Sequence, residues 1–383
     1  MNVAFFSSHI NKSLQWEWLS KGLIDSKEFK EIVHVIFYDF NATAKPSLVS
    51  DLEKLNMTVY AIPIKNKWSY FSAVKQSKRI LKKHNIQLVH TTLPHGNLFG
   101  QIAAYLAGVK HRVNTCENAS WAFDHDNFTQ KLIDKITFKL SSITVTGSDS
   151  SYEYLVSKWK LNPEKMDMIY HGIDENAYRD ISIERINKVK ESLQLNPKDF
   201  IIGMISRLEL WKGHEYAIRA MVNIKVKYPN IKLYIFGSEG KDKETIFNLI
   251  KELKLEDTVF YKGFINDPIA LLQLFDIHIH IPVNKYVENC GISIIEGMIS
   301  RKPQILTKSG YSFQSAKHLI NSYVVDYCNA QEVEVAIETL YLNSQLRQQL
   351  ADAAYQTAID EYSMEIKTKK HIELYKKLLR VKD

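Results

Sequence analysis

The stretch GMISRLELWKGHEYAIRAM, residues 203–221, decides the fold. Its start belongs to the apolar run Phe200–Ile205, which reads as a buried strand. Its end opens an amphipathic run, His214–Tyr228, which reads as a helix. Between them lie two cations, Arg207 and Lys212, and Gly213. The turn-like Asn196-Pro197-Lys198-Asp199 precedes the strand. Downstream the alternation continues with strand Lys232–Phe236, helix Thr245–Leu253 and strands Thr258–Tyr261 and Ile277–Ile281. A helix from Gly291 and strands Gln304–Thr307 and Tyr323–Val325 follow.

Upstream the same pattern runs from the start of the chain. Val3–Phe6, Ile32–Tyr38, Met57–Ile62, Gln87–Thr91, Arg112–Thr115 and Ile143–Thr146 read as strands. Ser13–Ile24, Tyr70–His84 and Asn97–Leu106 read as helices between them. Strands alternating with helices predict parallel sheets covered on both faces. The expectation is two doubly wound halves, joined between Asp174 and Asp199, with the boundary placed at 185/186. Two such halves facing each other leave a cleft at the carboxyl ends of their strands, where open parallel sheets bind ligands. Met364–Leu379 reads as a long helix with Ile366, Tyr375 and Leu378 as packing residues.

Composition bounds the classes. A chain of 383 residues suits two domains of about 100–200 residues each. At 45% hydrophobic and 24% charged, with 14 Gly and 9 Pro, collagen-like and low-complexity classes are excluded. Cys116, Cys290 and Cys328 lie far apart, which suits a reducing compartment and no zinc site. No run approaches the ~18 apolar residues of a membrane span. The opening MNVAFFSSHINKS lacks a basic, cleavable leader pattern, so a cytoplasmic protein is expected. A net charge of +7 suits first of all a plain solvated lysine surface, and beyond that an anionic small ligand or an acidic membrane surface. No nucleic-acid motif appears, so no nucleic-acid partner is expected.

No G-x-G-x-x-G follows the first strand, and no G-x-x-x-x-G-K-[ST], H-E-x-x-H or G-x-S-x-G occurs. The informative segment is ENCGISIIE, Glu288 to Glu296. Two carboxylates flank the start of a helix whose free N–H groups favour an anion. Gly291 leaves room for close backbone approach. Carboxylates beside such a site suit sugar and ribose hydroxyls. A capping Glu and a surface Glu give the same spacing. Arg207 and Lys212, at a strand's carboxyl end, suit phosphate oxygens; two solvated loop cations give the same pattern.

Taken together, Arg207, Lys212, Gly213 and the E-x7-E of Glu288 and Glu296 resemble the retaining glycosyltransferases of family 4. LYIFGSEGKD (233–242), VFYKGFINDP (259–268), DMIYHGID (167–174) and SRKPQIL (300–306) carry the likeness along the chain. Arg301 stands where the family usually has Gly. The resemblance implies the two-Rossmann GT-B fold. Residues 1–185, completed by helix 364–383, would bind acceptor, and 186–363 would bind a nucleotide-sugar. It implies donor contacts from Arg207, Lys212, Asn289, Cys290, Gly291, Glu296, Phe264 and Ile265, with Glu288 at the transferred sugar. It implies no metal and no cofactor beyond the co-substrate, a UDP-hexose or UDP-N-acetylhexosamine before a GDP-sugar. The acceptor would be a glycan or lipid-linked glycan, such as lipopolysaccharide or capsule precursors.

The first half departs from the family. Ser7-Ser8-His9-Ile10 replaces a Gly-rich loop, Thr92 a histidine, and Thr115-Cys116-Glu117-Asn118 a Thr-x-His. With Glu288, His95 and Glu117 are the candidate catalytic residues. His95 suits acceptor positioning or a structural role as well as a base. A sugar-nucleotide epimerase and a non-catalytic binding subunit remain alternatives. Trp16, Trp18, Trp68, Tyr70 and Phe71, near Lys65, Lys67, Lys75, Lys78, Arg79, Lys82 and Lys83, suit peripheral contact with the inner leaflet of a membrane. A core stripe with a solvated lysine face suits them too.

Overall fold

The computed structural model describes residues 1–9, 13–41, 45–117, 119–120 and 127–381. It forms two compact units, residues 1–172 with 364–383, and residues 173–363.

The first unit holds a seven-stranded parallel sheet: β1 (Asn2–Ser8), β2 (Glu31–Asp39), β3 (Thr58–Ile64), β4 (Leu88–Thr91), β5 (His111–Cys116), β6 (Ile143–Thr146) and β7 (Met166–Met168). Its order is β3-β2-β1-β4-β5-β6-β7. Strand periodicity divides β1 between two cores. Ala4 and Phe6 pack with Tyr70, Ala73, Ala103 and Ala104 of helices Ser69–Lys83 and Pro94–Ala107. Val3 and Phe5 pack on the other face with Leu19 and Leu23 of helix Leu14–Asp25. Leu374 and Tyr375 of helix Met364–Leu379 join this second core. Thr368, His371, Leu374 and Tyr375 recur at helical spacing, which gives that helix one buried face. Tyr375 Oη lies 2.6 Å from His90 Nδ1 beneath it.

The second unit holds β8 (Phe200–Ile205), β9 (Ile231–Phe236), β10 (Val259–Tyr261), β11 (Ile277–His280), β12 (Gln304–Leu306) and β13 (Tyr323–Val324). These are all parallel, in the order β10-β9-β8-β11-β12-β13. Ile202, Met204, Leu233, Ile235, Ile277 and Ile279 fill its core, each almost fully buried. At ~1.5–3 kcal/mol per buried aliphatic side chain, this core is the main stabilising term of the unit. The two doubly wound halves expected from the alternation are present.

The boundary differs from the expected 185/186. Residues 173–185 group with the second unit because their hydrogen bonds lie there. Ile173 N–H donates to the Tyr362 carbonyl over 2.7 Å, and Tyr355 Oη donates to Glu175 over 2.7 Å. Arg185 clamps Asp267 through two bonds of 2.6 and 2.7 Å.

Candidate active site

Loops at the carboxyl ends of β8, β9, β10 and β11 build the second unit's site. The loop after β8 runs through a short 3-10 turn, Leu210–Lys212, to helix His214–Lys227. Gly213 joins them at φ +85, and a Cβ there would meet the Ile281 carbonyl oxygen at 1.9 Å. Only glycine permits that approach. Val283 N–H also donates to the Trp211 carbonyl, 3.0 Å away. These contacts fasten the cationic loop to the segment following β11. The loop after β9 presses on it as well: a Cβ at Gly240 would lie 2.2 Å from the Leu208 carbonyl, and Asp242 accepts from Leu210 N–H over 2.9 Å.

A linked array crosses this surface. Arg207 Nη1 lies 3.3 Å from Glu209 Oε1. Glu209 Oε2 accepts from the Trp211 indole. Lys212 Nζ sits 4.2 Å from the centre of the Trp211 ring and donates to Glu288 Oε2. The same Glu288 oxygen lies 3.2 Å from His280 Nε2, and His280 Nδ1 lies 3.1 Å from Ser293 Oγ. Burial would raise the Glu288 carboxyl, but Lys212 and His280 outweigh it and hold it down to about 2. Burial lowers the His280 pKa, against the pull of Glu288, so the ring is neutral. An ionised carboxylate can only accept. His280 Nε2 therefore carries the proton, and Nδ1 accepts from the Ser293 hydroxyl. Arg207 is mostly exposed, whereas the Lys212 side chain is only 12% exposed.

Ser293 is the second residue of the helix Ile292–Ile299. Gly291 caps it at φ +65, and a Cβ there would crowd Ile294 Cδ1 at 2.9 Å and His280 Nε2 at 3.1 Å. Asn289 and Cys290 are buried beside the cap, with Asn289 Nδ2 3.0 Å from Cys290 Sγ. Tyr311 N–H binds the Cys290 carbonyl over 3.0 Å, fixing the approach to the helix. Lys212 and the helix's cap residue Gly291 thus both lie beside Glu288, whose Cγ would sit 3.3 Å from a Cβ at Gly291. Glu296 follows on the same helix and is half-buried. Burial raises its carboxyl to about 7, against the lowering effect of a hydrogen bond from Tyr178. Beyond β10, Gly237 N–H binds the Gly263 carbonyl over 2.9 Å. Phe264 next to it is 69% exposed, and Ile265 is half-buried.

His95 and Glu117 lie in the first unit. His95 sits at the start of helix Pro94–Ala107, its ring 5.2 Å from those of His9 and Tyr70. Burial and then His9 lower its pKa. Ser8 Oγ accepts from Gly96 N–H over 3.0 Å, and a Cβ at Gly96 would lie 3.0 Å from Ser7. The close approach usually granted by glycine after β1 is therefore granted by Gly96 across from it. Thr92 donates to Glu117 Oε1 over 2.8 Å, and His171 Nε2 lies 3.8 Å from Oε2. Burial raises the Glu117 carboxyl, opposed by Thr92 and Lys367. Ile10 and Asn118 lie outside the described residues. His95 and Glu117 belong to separate networks within this unit.

Glu209, His280, Ser293 and Tyr178 were missed by sequence reasoning. A histidine ending an alternating Ile-His-Ile-His strand was the available signal for His280. Tyr178 offered none, because its partner is distant in the chain.

Residues 185–357 match the family described as Glycosyl transferases group 1, and residues 33–177 match Glycosyltransferase Family 4. EpsD of Bacillus subtilis, named as a glycosyltransferase, is 25% identical over 298 residues, 74% of this chain and 75% of that protein. A Campylobacter jejuni protein is 31% identical over 173 residues, 44% of each chain. It is named N-acetylgalactosamine-N,N'-diacetylbacillosaminyl-diphospho-undecaprenol 4-alpha-N-acetylgalactosaminyltransferase. Among solved structures, Anabaena HepE in complex with UDP and glucose superposes with a TM-score of 0.82 at 19% identity, covering 98% of this chain and 100% of that one.

Proposed function

The chain belongs to the family 4, group 1 glycosyltransferases and serves polysaccharide or glycoconjugate biosynthesis; from that premise we propose a retaining, metal-independent transfer of a sugar from a UDP-sugar to a lipid-linked or free glycan. The observation that carries this reading is the array of Lys212, Glu288 and His280 against the cap of helix Ile292–Ile299. HepE's complex with UDP and glucose supports a UDP-sugar, and the Campylobacter relative's name supports a diphospho-undecaprenol acceptor. Work on such an acceptor suits a cytoplasmic protein held at the membrane face.

In this reading the donor diphosphate lies between Arg207, Lys212 and the amides at Asn289–Ile292. Lys212 has three N–H donors. One serves Glu288, and two remain for phosphate oxygens. Cations and helix amides then do the work of a divalent ion. Glu296 accepts from ribose hydroxyls, and Phe264 and Ile265 flank the base. Glu288, ionised at every physiological pH, faces the sugar, where positive charge develops as the C1–O bond to phosphate breaks. The acceptor oxygen forms its bond to C1 on the same face. Its proton passes to the leaving phosphate oxygen. No side chain is required as nucleophile. His95 and Glu117 hold the acceptor in the first unit. Transfer, the family's chemistry, sets the epimerase and non-catalytic alternatives aside.

Steady-state kinetics with UDP-hexoses, UDP-N-acetylhexosamines and GDP-sugars tests this. Glu296→Gln should chiefly raise donor KM, and Glu288→Gln should chiefly lower kcat. If UDP binds Glu296→Gln as tightly as the parent and Glu288→Gln keeps full kcat, both carboxylates only support the fold.

A further inference from the structure

Two helices of the first unit expose apolar and basic side chains together. Helix Phe128–Leu140 buries only Thr137 fully, so its outward face is unusually complete. Phe128 is 77% exposed, Leu132 49% and Ile136 37%. Their four-residue spacing makes one stripe. Lys131, Lys135 and Lys139 run beside it at the same spacing. The helix's acid, Asp134, is turned inward, accepts from Gln130 Nε2 over 2.8 Å, and is raised by burial to about 6. Phe138 anchors the inner face, packing edge-on to Trp159 at 5.2 Å.

Helix Ser69–Lys83 flanks helix Pro94–Ala107 on its other side, in the same layer. At its start Trp68 and Phe71, 68% and 72% exposed, stack at 5.9 Å. Lys67 lies over Trp68, and Lys65 over the half-exposed ring of Phe40, at 4.4 Å. A helix following a parallel strand runs back against it. The starts of both helices therefore lie at the carboxyl edge of the sheet, and Phe40, Trp68, Phe71 and Phe128 share that edge. The sequence expectation is corrected in part: Tyr70 is buried, and Trp16 packs on Phe5 at 5.3 Å. Trp18 is half-buried. None of these three is among the exposed aromatic rings.

We propose that this face docks the first unit on an anionic lipid bilayer. Aromatic rings settle at the headgroup level, and lysines beside them meet anionic headgroups. A second copy of the chain would bring two basic faces together on a protein of net charge +7, which repels. A bilayer offers apolar depth and negative charge over the same plane. The proposal rests on the glycosyltransferase reading only for its purpose, delivery of the enzyme to a lipid-linked acceptor.

The test is co-sedimentation of the full chain with vesicles of phosphatidylglycerol and phosphatidylcholine, and with phosphatidylcholine alone. Binding should need phosphatidylglycerol and weaken with salt. Phe128→Ser with Leu132→Ser, Trp68→Ser with Phe71→Ser, and Lys131→Gln with Lys135→Gln and Lys139→Gln should each reduce it roughly tenfold or more. Val226→Ser, an exposed apolar site on the second unit, should not. Unfolding temperatures should match the parent throughout. Equal binding to both vesicle types, or unchanged binding by all three variants, overturns the proposal. So does self-association that the same variants abolish. Transfer to a water-soluble acceptor should persist in the three variants. Its absence from the parent, with vesicle binding intact, would count against the catalytic reading alone.

Discussion

Tyr178 Oη donates to Glu296 Oε1 over 3.2 Å, tying the segment that enters the second unit to a carboxylate of the candidate donor site. Tyr178 stands on the single-turn helix Asn176–Arg179, five residues after Ile173 binds Tyr362. Its hydroxyl favours the ionised form of a carboxyl that burial pushes up to about 7. Tyr178→Phe should raise the Glu296 pKa further, by about one unit for one lost hydrogen bond of ~1.4 kcal/mol. UDP affinity should then need a higher pH for its maximum. Calorimetric titrations from neutral to mildly alkaline pH check this; superimposable curves for parent and variant would rule it out.

Glu296 also sets a pH dependence of stability. Its folded-state pKa of about 7 exceeds the ordinary 4.5. The folded chain therefore binds more protons than the unfolded one between those values, and stability falls as pH rises through that window. Glu296→Gln removes the term. Its gain in Tm over the parent should be small in mild acid and widen toward pH 7 and just above. A gap that stays constant with pH would contradict the assignment.

Arg207 and Lys212 should separate by phenotype. Arg207 is 58% exposed, so Arg207→Ala should leave Tm unchanged while kcat/KM falls by about 2–4 kcal/mol. Lys212→Met strands Glu288 in a buried site and should cost about 3–5 kcal/mol of stability at neutral pH. The Glu288 pKa is depressed, so the pair's contribution is full above 4.5 and is lost as pH falls toward 2. Adding Glu288→Gln to Lys212→Met should recover most of the loss. Denaturant unfolding of the three variants measures it, and independent, additive effects would refute the coupling.

Two glycines with similar backbones give a control on strain. Gly213 and Gly263 sit at φ +85 and φ +75, but a Cβ at Gly263 meets nothing within 4 Å. Gly263→Ala should cost only ~1–2 kcal/mol of left-handed strain. Gly213→Ala must also displace the Ile281 carbonyl and should unfold or severely destabilise the unit. Similar Tm losses for both would mean the loop relaxes freely.

Saturating EDTA should leave transfer largely intact, because Lys212, Arg207 and helix amides face the phosphates in the proposed mode. Loss on chelation, restored by magnesium or manganese, would show that a divalent ion shares that work.

Local signals carried the fold further than the site. Phe200–Ile205 and Met364–Leu379 were legible to the residue, because the first is an unbroken apolar run after the turn Asn196–Asp199 and the second a sustained helical period. Helix Ile292–Ile299 begins one residue after its Gly291 cap, as the glycine suggested. Helices Ser47–Lys54 and Phe128–Leu140, and the three-residue strand Met166–Met168, were not assigned. Helix Phe128–Leu140 displays Phe128, Leu132 and Ile136 outward, so its periodicity does not mark a single buried face. Lys212 and Glu288 were legible as residue types at strand ends. Their direct ion pair was not, because it depends on Gly213 seating one loop against Ile281 in another strand's extension. His280 and Tyr178 act through partners set by tertiary contact alone.

The return of helix Met364–Leu379 to the first unit imposes an order on biosynthesis. When residues 1–172 leave the ribosome, the helix that covers Val3, Phe5 and His90 has not been translated. The intervening segment, residues 173–363, is contiguous and can close its own core first. At ~5–20 residues per second the wait lasts roughly 10–40 s. Throughout it the apolar face of Val3, Phe5, Leu19 and Leu23 on the nascent first unit lacks the cover that Leu374 and Tyr375 later supply.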